Sequence, residues 1–229
     1  MQATTLENLL RSAEILTSAE ISDALDYFRL PGGAVGIAPV AGPQRLFGRA
    51  FTVRFAPLDI SRPGTVGDYL DDIPAGAVVV LDNGGRLDCT VWGGIMSQLA
   101  AQRGISGTVV HGVCRDTVEA EQAGYPLFAR GCFMRTGKDR VQADTVGEPV
   151  SLGDVRVCAG DLVVGDRDGV VIVPSARIGD VLLRALEMRE VEERILRAAL
   201  DGMPLAQARQ EFGYHSLQRT PAGSFAEAR

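Results

Sequence analysis

The stretch "GTVVHGVCRDTVEAEQAGYPLFARG", residues 107–131, decides the fold. GTVVHG (107–112) is short and rich in strand formers. RDTVEAEQAG (115–124) reads as a helix that ends at a glycine, and PLFARG (126–131) as a second short strand. Strand, helix and strand joined by a few residues make a parallel βαβ unit. Working outward, AVVVLDNGG (77–85) reads as a buried strand that stops at a turn. GGIMSQLAAQRG (93–104) reads as a helix with Gly104 just past its end. The parallel alternation therefore begins at least one unit earlier.

The flanks read differently. TSAE (17–20) is a capping-box pattern, with Thr17 as N-cap and Glu20 at the third helical position, so a helix is expected to end near Leu30. Another is expected over 4–15. Residues 30–43 are rich in Gly and Pro and read as a loop, 48–57 alternate as a strand, and 61–76 read as a loop with a short helix. From 150 to 174 strand follows strand with Gly-Asp turns, which predicts an antiparallel, barrel-like section. A long helix follows, with Ser175 as N-cap, ending near Leu200 before Gly202 and Pro204. The expected organisation is one α/β domain over 1–200 and a tail, 201–229, free to cross to a neighbouring subunit.

The 229 residues are 46% apolar, enough for a sizeable core. The net charge of −6 argues against nucleic-acid binding through a broad basic face. No apolar run reaches the roughly 18 residues of a membrane span, and the first residues do not read as a signal peptide. Cys89, Cys114, Cys132 and Cys158 form no CxxC pair and read as small buried hydrophobes in a reducing cytoplasm.

The chemistry is expected where the two helices begin, because ligands of open α/β sheets bind beyond the carboxyl ends of the strands. Gly93 and Gly94 open the first helix and leave the N–H groups of Gly94, Ile95 and Met96 to receive an anion. Arg115 offers a fork for a carboxylate. Asp116 offers hard oxygens for Mg2+ or Mn2+, and Glu119, three residues on, shares its helix face. The same charges also fit a solvated helix start, with Arg115 and Glu119 as an i,i+4 pair.

WGGIMSQLAAQRGISGTVVHGVCRD (92–116) and GDLVVGDRDGVVIVP (160–174) resemble two hallmark segments of the RraA-like family. The resemblance covers about residues 15 to 200. The family contains 4-hydroxy-4-methyl-2-oxoglutarate and 4-carboxy-4-hydroxy-2-oxoadipate aldolases as well as regulators of ribonuclease E. The resemblance implies an α/β/α swivelling-type fold in a trimer or a hexamer. It also implies a metal-dependent lyase, an aldolase or oxaloacetate decarboxylase, that releases pyruvate from a small 2-oxo acid. Arg115 and the amides near Ile95 and Met96 would hold the pyruvyl carboxylate, and a divalent cation on Asp116 would polarise the keto oxygen. Family aldolases carry an acid, twenty residues, Arg-Asp, two residues, then an acid. Arg115, Asp116 and Glu119 match, but the leading acid is Gly94 here. The alternative is a non-catalytic regulator binding a ribonuclease or another protein, although regulators tend to lack the acid that Glu119 keeps. The family's proton donor comes from a neighbouring subunit, and Glu192 or Glu193 would fill that place.

Lys138 is the only lysine and lies outside the motif, so a Schiff-base aldolase is disfavoured. No GxGxxG fingerprint supports a methyltransferase. His111, at a strand end, reads as a packing residue or a proton shuttle, and Asp82 as a turn residue or part of the pocket lining. Asp166 and Asp168 read as a tight turn, Trp92 as core in preference to a pocket wall, and His215 as part of the tail.

Overall fold

The computed structural model describes residues 3–217, arranged in two compact units. One is Gly32–Ala176. The other joins the segment up to Pro31 with the segment from Arg177 onward.

The Gly32–Ala176 unit is built on a mixed sheet. Its strands are β1 (Ala38–Ala41), β2 (Leu46–Pro57), β3 (Ala77–Thr90), β4 (Gly107–Cys114), β5 (Leu127–Cys132), β6 (Val141–Val146), β9 (Leu162–Asp166) and β10 (Gly169–Val173). β7 (Val150–Leu152) and β8 (Val155–Val157) form a separate hairpin. The order is β1-β5-β4-β3-β2-β9-β10, with β6 also pairing with β2. β2 to β5 run parallel, as the βαβ pattern requires, while β1, β6, β9 and β10 add antiparallel. This is the mixed α/β fold expected from the sequence.

The parallel strands are buried on both faces, which explains their unbroken Val and Leu runs. Val79, Leu81, Val110 and Leu127 pack under α3 (Gly94–Gln102) and α4 (Thr117–Gln122), together with Trp92 and Tyr125. Val78, Val80, Val109 and Phe128 meet Leu152 and Val157 of the hairpin on the other side. Trp92 is core, as its sequence context suggested. Its ring stacks on Tyr125 with centroids 5.9 Å apart, and its Nε1–H donates to Ser97 Oγ at 3.0 Å. Both helices stop as the sequence proposed. Beyond α3, Gly104 and Ile105 donate to Ala101 and Ala100, and beyond α4, Gly124 and Tyr125 donate to Glu121 and Ala120. Each is the paired closure that a left-handed residue after a helix allows.

Several expectations are corrected. β3 does not stop at Asn83-Gly84 but continues to Thr90, because Gly84 and Gly85 (φ +61° and +68°) let the strand bulge and resume pairing at Arg86. The 30–43 loop contains β1, which pairs with β5, and β6 lies in a stretch given no strand from the sequence. Cys89 and Cys114 are buried hydrophobes, whereas Cys132 is exposed. Asp82 does not end its strand.

The second unit is helical: α1 (Ala3–Ala13), α2 (Ser18–Tyr27), α5 (Ile178–Leu200) and α6 (Leu205–Glu211). The α2 capping box forms, with Glu20 N–H on Thr17 Oγ1 at 3.2 Å and Thr17 N–H on Glu20 Oε2 at 2.7 Å. Arg189 of α5 ties it down, 2.9 Å from Glu20 and 3.0 Å from Glu193. Arg184 and Arg177 lie over the rings of Tyr27 and Phe28 at 4.3 and 4.8 Å. Ser175 does not cap α5: it starts a 3-10 turn, and the α-helix begins at Ile178. Part of the expected tail, residues 218–229, lies outside the described residues. His215 sits in a short 3-10 turn before it.

Candidate active site

A cleft of about 430 Å³ lies in the Gly32–Ala176 unit, at the carboxyl edge of the parallel strands. The start of α3 and the residues before α4 meet there. Asp116 stands immediately before α4 in a left-handed backbone conformation, φ +58° and ψ +44°. That twist aims its carboxylate at the start of α3. Gly94 N–H donates to Asp116 Oδ2 at 2.9 Å, and Arg115 Nε lies 3.4 Å from the same oxygen. Arg115 is itself placed by its backbone, whose N–H donates to Trp92 C=O at 3.3 Å.

The glycines matter here for space. A Cβ on Gly93 would stand 2.8 Å from Asp116 Oδ2 and 3.4 Å from Arg115 Nε. A Cβ on Gly94 would stand 3.1 Å from Glu119 Cβ and 3.2 Å from Asp116 Cβ. Asp116 and Glu119 therefore close over Gly94 as two walls. The structure brings Gly93, Gly94, Arg115, Asp116 and Glu119 together, as their spacing suggested. It also gives Gly94 N–H to Asp116. The first-turn amides of Ile95 and Met96 are left without intrahelical acceptors by helix geometry, and both residues line the cleft.

The donor chemistry suits a hard divalent cation. Asp116 spends Oδ2 on Gly94 and Arg115 and keeps a second oxygen, while Glu119, one helical turn on, packs its Cβ and Cγ against Gly94 and is not among the residues lining the cleft. One or two carboxylates with substrate and water completing the shell is how Mg2+ is commonly held. Among the described residues no cluster of three or more His, Cys, Asp or Glu forms a ready-made cage.

The rest of the cleft was missed from the sequence. Val66, Leu70, Leu99 and Thr136 line it, with Asp68 and Asp71 alongside. The available signal was positional: the 61–76 loop follows a parallel strand, and such loops gather over the sheet edge.

Asp82 and His111 lie elsewhere. They sit on β3 and β4 and on the face toward the β7–β8 hairpin, Nδ1 and Oδ1 3.1 Å apart. Asp82 also accepts from Gly84 N–H at 2.9 Å and Ser151 N–H at 3.0 Å, which makes it a fastener of hairpin to sheet. Asp166 accepts from Asp168 N–H at 3.0 Å in the expected turn. Glu192 and Glu193 lie on α5 in the helical unit. Burial, followed by the charges of Asp23 and Glu20, holds the Glu192 carboxyl above the usual carboxylate value.

Comparison with known proteins decides the family. The model described as RraA-like, Aldolase/RraA, matches residues 18–172. The chain belongs to the RraA-like family. Protein DlpA of Legionella pneumophila is 36% identical over 218 residues, 93% of this chain, and the chain spans 35% of the length of that relative. A Halalkalibacterium halodurans relative named "Putative 4-hydroxy-4-methyl-2-oxoglutarate aldolase" is 32% identical over 85% of this chain and 90% of its own length. Among solved structures, an uncharacterized protein from Pseudomonas syringae pv. tomato superimposes with a TM-score of 0.82. It is 41% identical and covers 89% of this chain and 97% of its own. A Streptomyces coelicolor member of the RNase ES inhibitor RraA family gives a TM-score of 0.72 at 25% identity, over 81% of this chain and 94% of that one. RraA-like relatives thus carry both kinds of name, aldolase and RNase inhibitor. No helix among the described residues is long and apolar enough to cross a membrane.

Proposed function

We propose that this chain is a divalent-metal-dependent carbon-carbon lyase that releases pyruvate from a small 2-oxo acid, by retro-aldol cleavage, by decarboxylation of oxaloacetate, or both. The observation that carries this reading is the pairing of Arg115 and Asp116 at the glycine-lined start of α3, inside a cleft. In it Arg115 forks the substrate carboxylate, and the Ile95 and Met96 amides orient it from the other side. Asp116, with Glu119 beside it, holds Mg2+ or Mn2+, which supplies Lewis-acid polarisation of the 2-oxo group. Breaking the C3–C4 bond leaves its electron pair to the 2-oxo carbonyl; in the retro-aldol case the 4-hydroxyl gives its proton to water as it becomes the departing carbonyl, in decarboxylation CO2 departs, and a proton delivered to C3 completes pyruvate. Glu119 orders water on that side of the cleft. Of the two α5 acids, Glu192 is the one assigned to deliver a proton from another subunit, because Glu193 is already paired with Arg189. That donor calls for an oligomer, and a cytoplasmic trimer or hexamer is the assembly the family resemblance implies.

One observation favours a second reading, a regulator that binds a ribonuclease or other protein: Gly94 stands where family aldolases carry an acid. Pyruvate release from oxaloacetate, with and without Mg2+ or Mn2+, separates the two. Arg115→Ala and Asp116→Asn are the informative variants, because asparagine tolerates the left-handed backbone. The lyase reading expects metal-dependent turnover that each variant lowers about 100-fold or more in kcat/KM. Absence of turnover in folded, metal-supplemented protein favours the regulator.

A further inference from the structure

We propose that Cys114 and Cys132 are a modification site, which a peroxide converts to a reversible intrachain disulfide that switches off the adjoining cleft. The cross-link stands on its own geometry, and only its effect on turnover rests on the lyase reading.

The two cysteines are the last residues of β4 and β5, which pair in parallel. They are partners in that register, so their side chains leave the same face of the sheet. Neighbouring strands stand about 4.8 Å apart, inside the roughly 4.4–6.8 Å Cα separation that disulfides span. The two thiols already lie within hydrogen-bond reach of each other. Cys114 Sγ also lies 3.7 Å from the Gly131 carbonyl oxygen. On the backbone side, Phe133 N–H donates to Cys114 C=O at 2.9 Å and holds the two strand ends together. Open space lies beside Gly131, so the end of β5 has room to close the remaining gap. Both sulfurs belong to one chain, so the pair needs no second copy.

Exposure divides the roles, since Cys132 is exposed and Cys114 is buried. The Cys132 sulfur attacks one oxygen of hydrogen peroxide, the O–O bond breaks, and the departing hydroxide takes the thiol proton and leaves as water. Cys132 is then a sulfenic acid. The Cys114 sulfur attacks the Cys132 sulfur, the S–S bond forms, the S–O bond breaks, and the hydroxide leaves with the second thiol proton as water. Two thiols and one peroxide thus become a disulfide and two waters.

Closure acts on the cleft through one peptide bond. Cys114 precedes Arg115, whose N–H reaches Trp92 C=O at 3.3 Å, longer than the usual distance of about 2.9–3.0 Å. Trp92 follows β3, and β4 lies between β3 and β5. Sulfurs drawn together to about 2.05 Å pull Cys114 toward β5 and away from Trp92, and that long bond yields first. Arg115 and Asp116 then leave their places beside Gly94.

The test is peroxide treatment of the reduced full chain, blocking of remaining thiols with N-ethylmaleimide, and tryptic mass spectrometry. Residues 104–115 and 131–135 are separate tryptic peptides that carry one of these cysteines each. They should appear joined, and dithiothreitol should part them. Pyruvate release with Mg2+ should fall at least about tenfold on oxidation and return on reduction. Trp92, the single tryptophan, should change its emission in parallel. Peroxide also oxidises methionines, and Cys132→Ser controls for that: its turnover and emission should hold under the same treatment. Absence of the joined peptide, or a covalent dimer on a non-reducing denaturing gel, overturns the site. A joined peptide with unchanged emission and turnover overturns the switch. If the reduced chain releases no pyruvate, the lyase reading fails, and the joined peptide and Trp92 emission still decide this one.

Discussion

Asp82 lies within β3, on the face toward the β7–β8 hairpin, and Asp116 stands in the turn between β4 and α4, and the two are used in opposite ways. The Asp82 side chain is 13% exposed and has both oxygens engaged, by Gly84 N–H, Ser151 N–H and His111. The Asp116 side chain is 38% exposed and has one oxygen engaged. A carboxylate whose acceptor sites are filled by its own chain is a structural fastener. One that faces a cleft with capacity to spare is available to a ligand. Charge and position in the sequence do not distinguish the two, and partner count does.

The largest expected effect is on activity. Asp116→Asn should lower metal-dependent pyruvate release about 1000-fold while the melting temperature stays close to wild type. Turnover retained at a tenth or more of wild type would remove Asp116 from the chemistry. Asp82→Asn should do the reverse. Its neutral amide turns a donor toward existing donors, so chemical denaturation should show a loss of about 2 kcal/mol, with turnover per folded molecule little changed. A large activity loss without destabilisation would erase the contrast between the two aspartates.

Gly94→Ala probes the contact between the two walls. Its new methyl group would press on Asp116 and Glu119 at 3.1–3.2 Å, and steady-state kinetics should show about a tenfold loss in kcat/KM. Unchanged kinetics would mean that the closeness of those carboxylates to α3 is incidental. The smallest effect concerns Glu192. Its carboxyl is held up by burial and by Asp23 and Glu20, so the folded state binds that proton more tightly than the unfolded chain. The associated stability is fully present below the ordinary glutamate value of about 4.5 and is lost as pH rises through the higher folded value. Glu192→Gln should therefore melt slightly above wild type at neutral pH, and the two curves should converge in acid. Thermal melts across that range would show it, and a lower melting point for the variant at neutral pH would contradict the assignment.

What was legible in the sequence was local. Thr17 and Glu20 announce a helix start because the capping box closes within four residues. Gly104 and Gly124 announce helix ends for the same kind of reason. Arg115, Asp116 and Glu119 were legible as a charged helix start at a strand's carboxyl end. The misses depend on distant partners. Asn83-Gly84-Gly85 looks like a turn, and only the neighbouring β4, which resumes pairing at Arg86, makes it a bulge inside a longer strand. β1 and β6 exist because β5 and β2 offer them edges. The left-handed twist at Asp116 and its bond to Gly94, 22 positions away, leave no local mark. Nor does the approach of Val66 and Leu70 to α3.

That left-handed twist also shapes which replacements the chain can tolerate. At φ +58° the backbone favours Gly, Asn and Asp and penalises branched side chains whatever the chemistry requires. A library randomised at position 116 would meet two independent filters. Selection for folding would keep the small permissive set, and selection for turnover would keep aspartate from within it. The mutational tolerance of this one position therefore records geometry and catalysis separately, and comparing the two surviving sets would read each without the other.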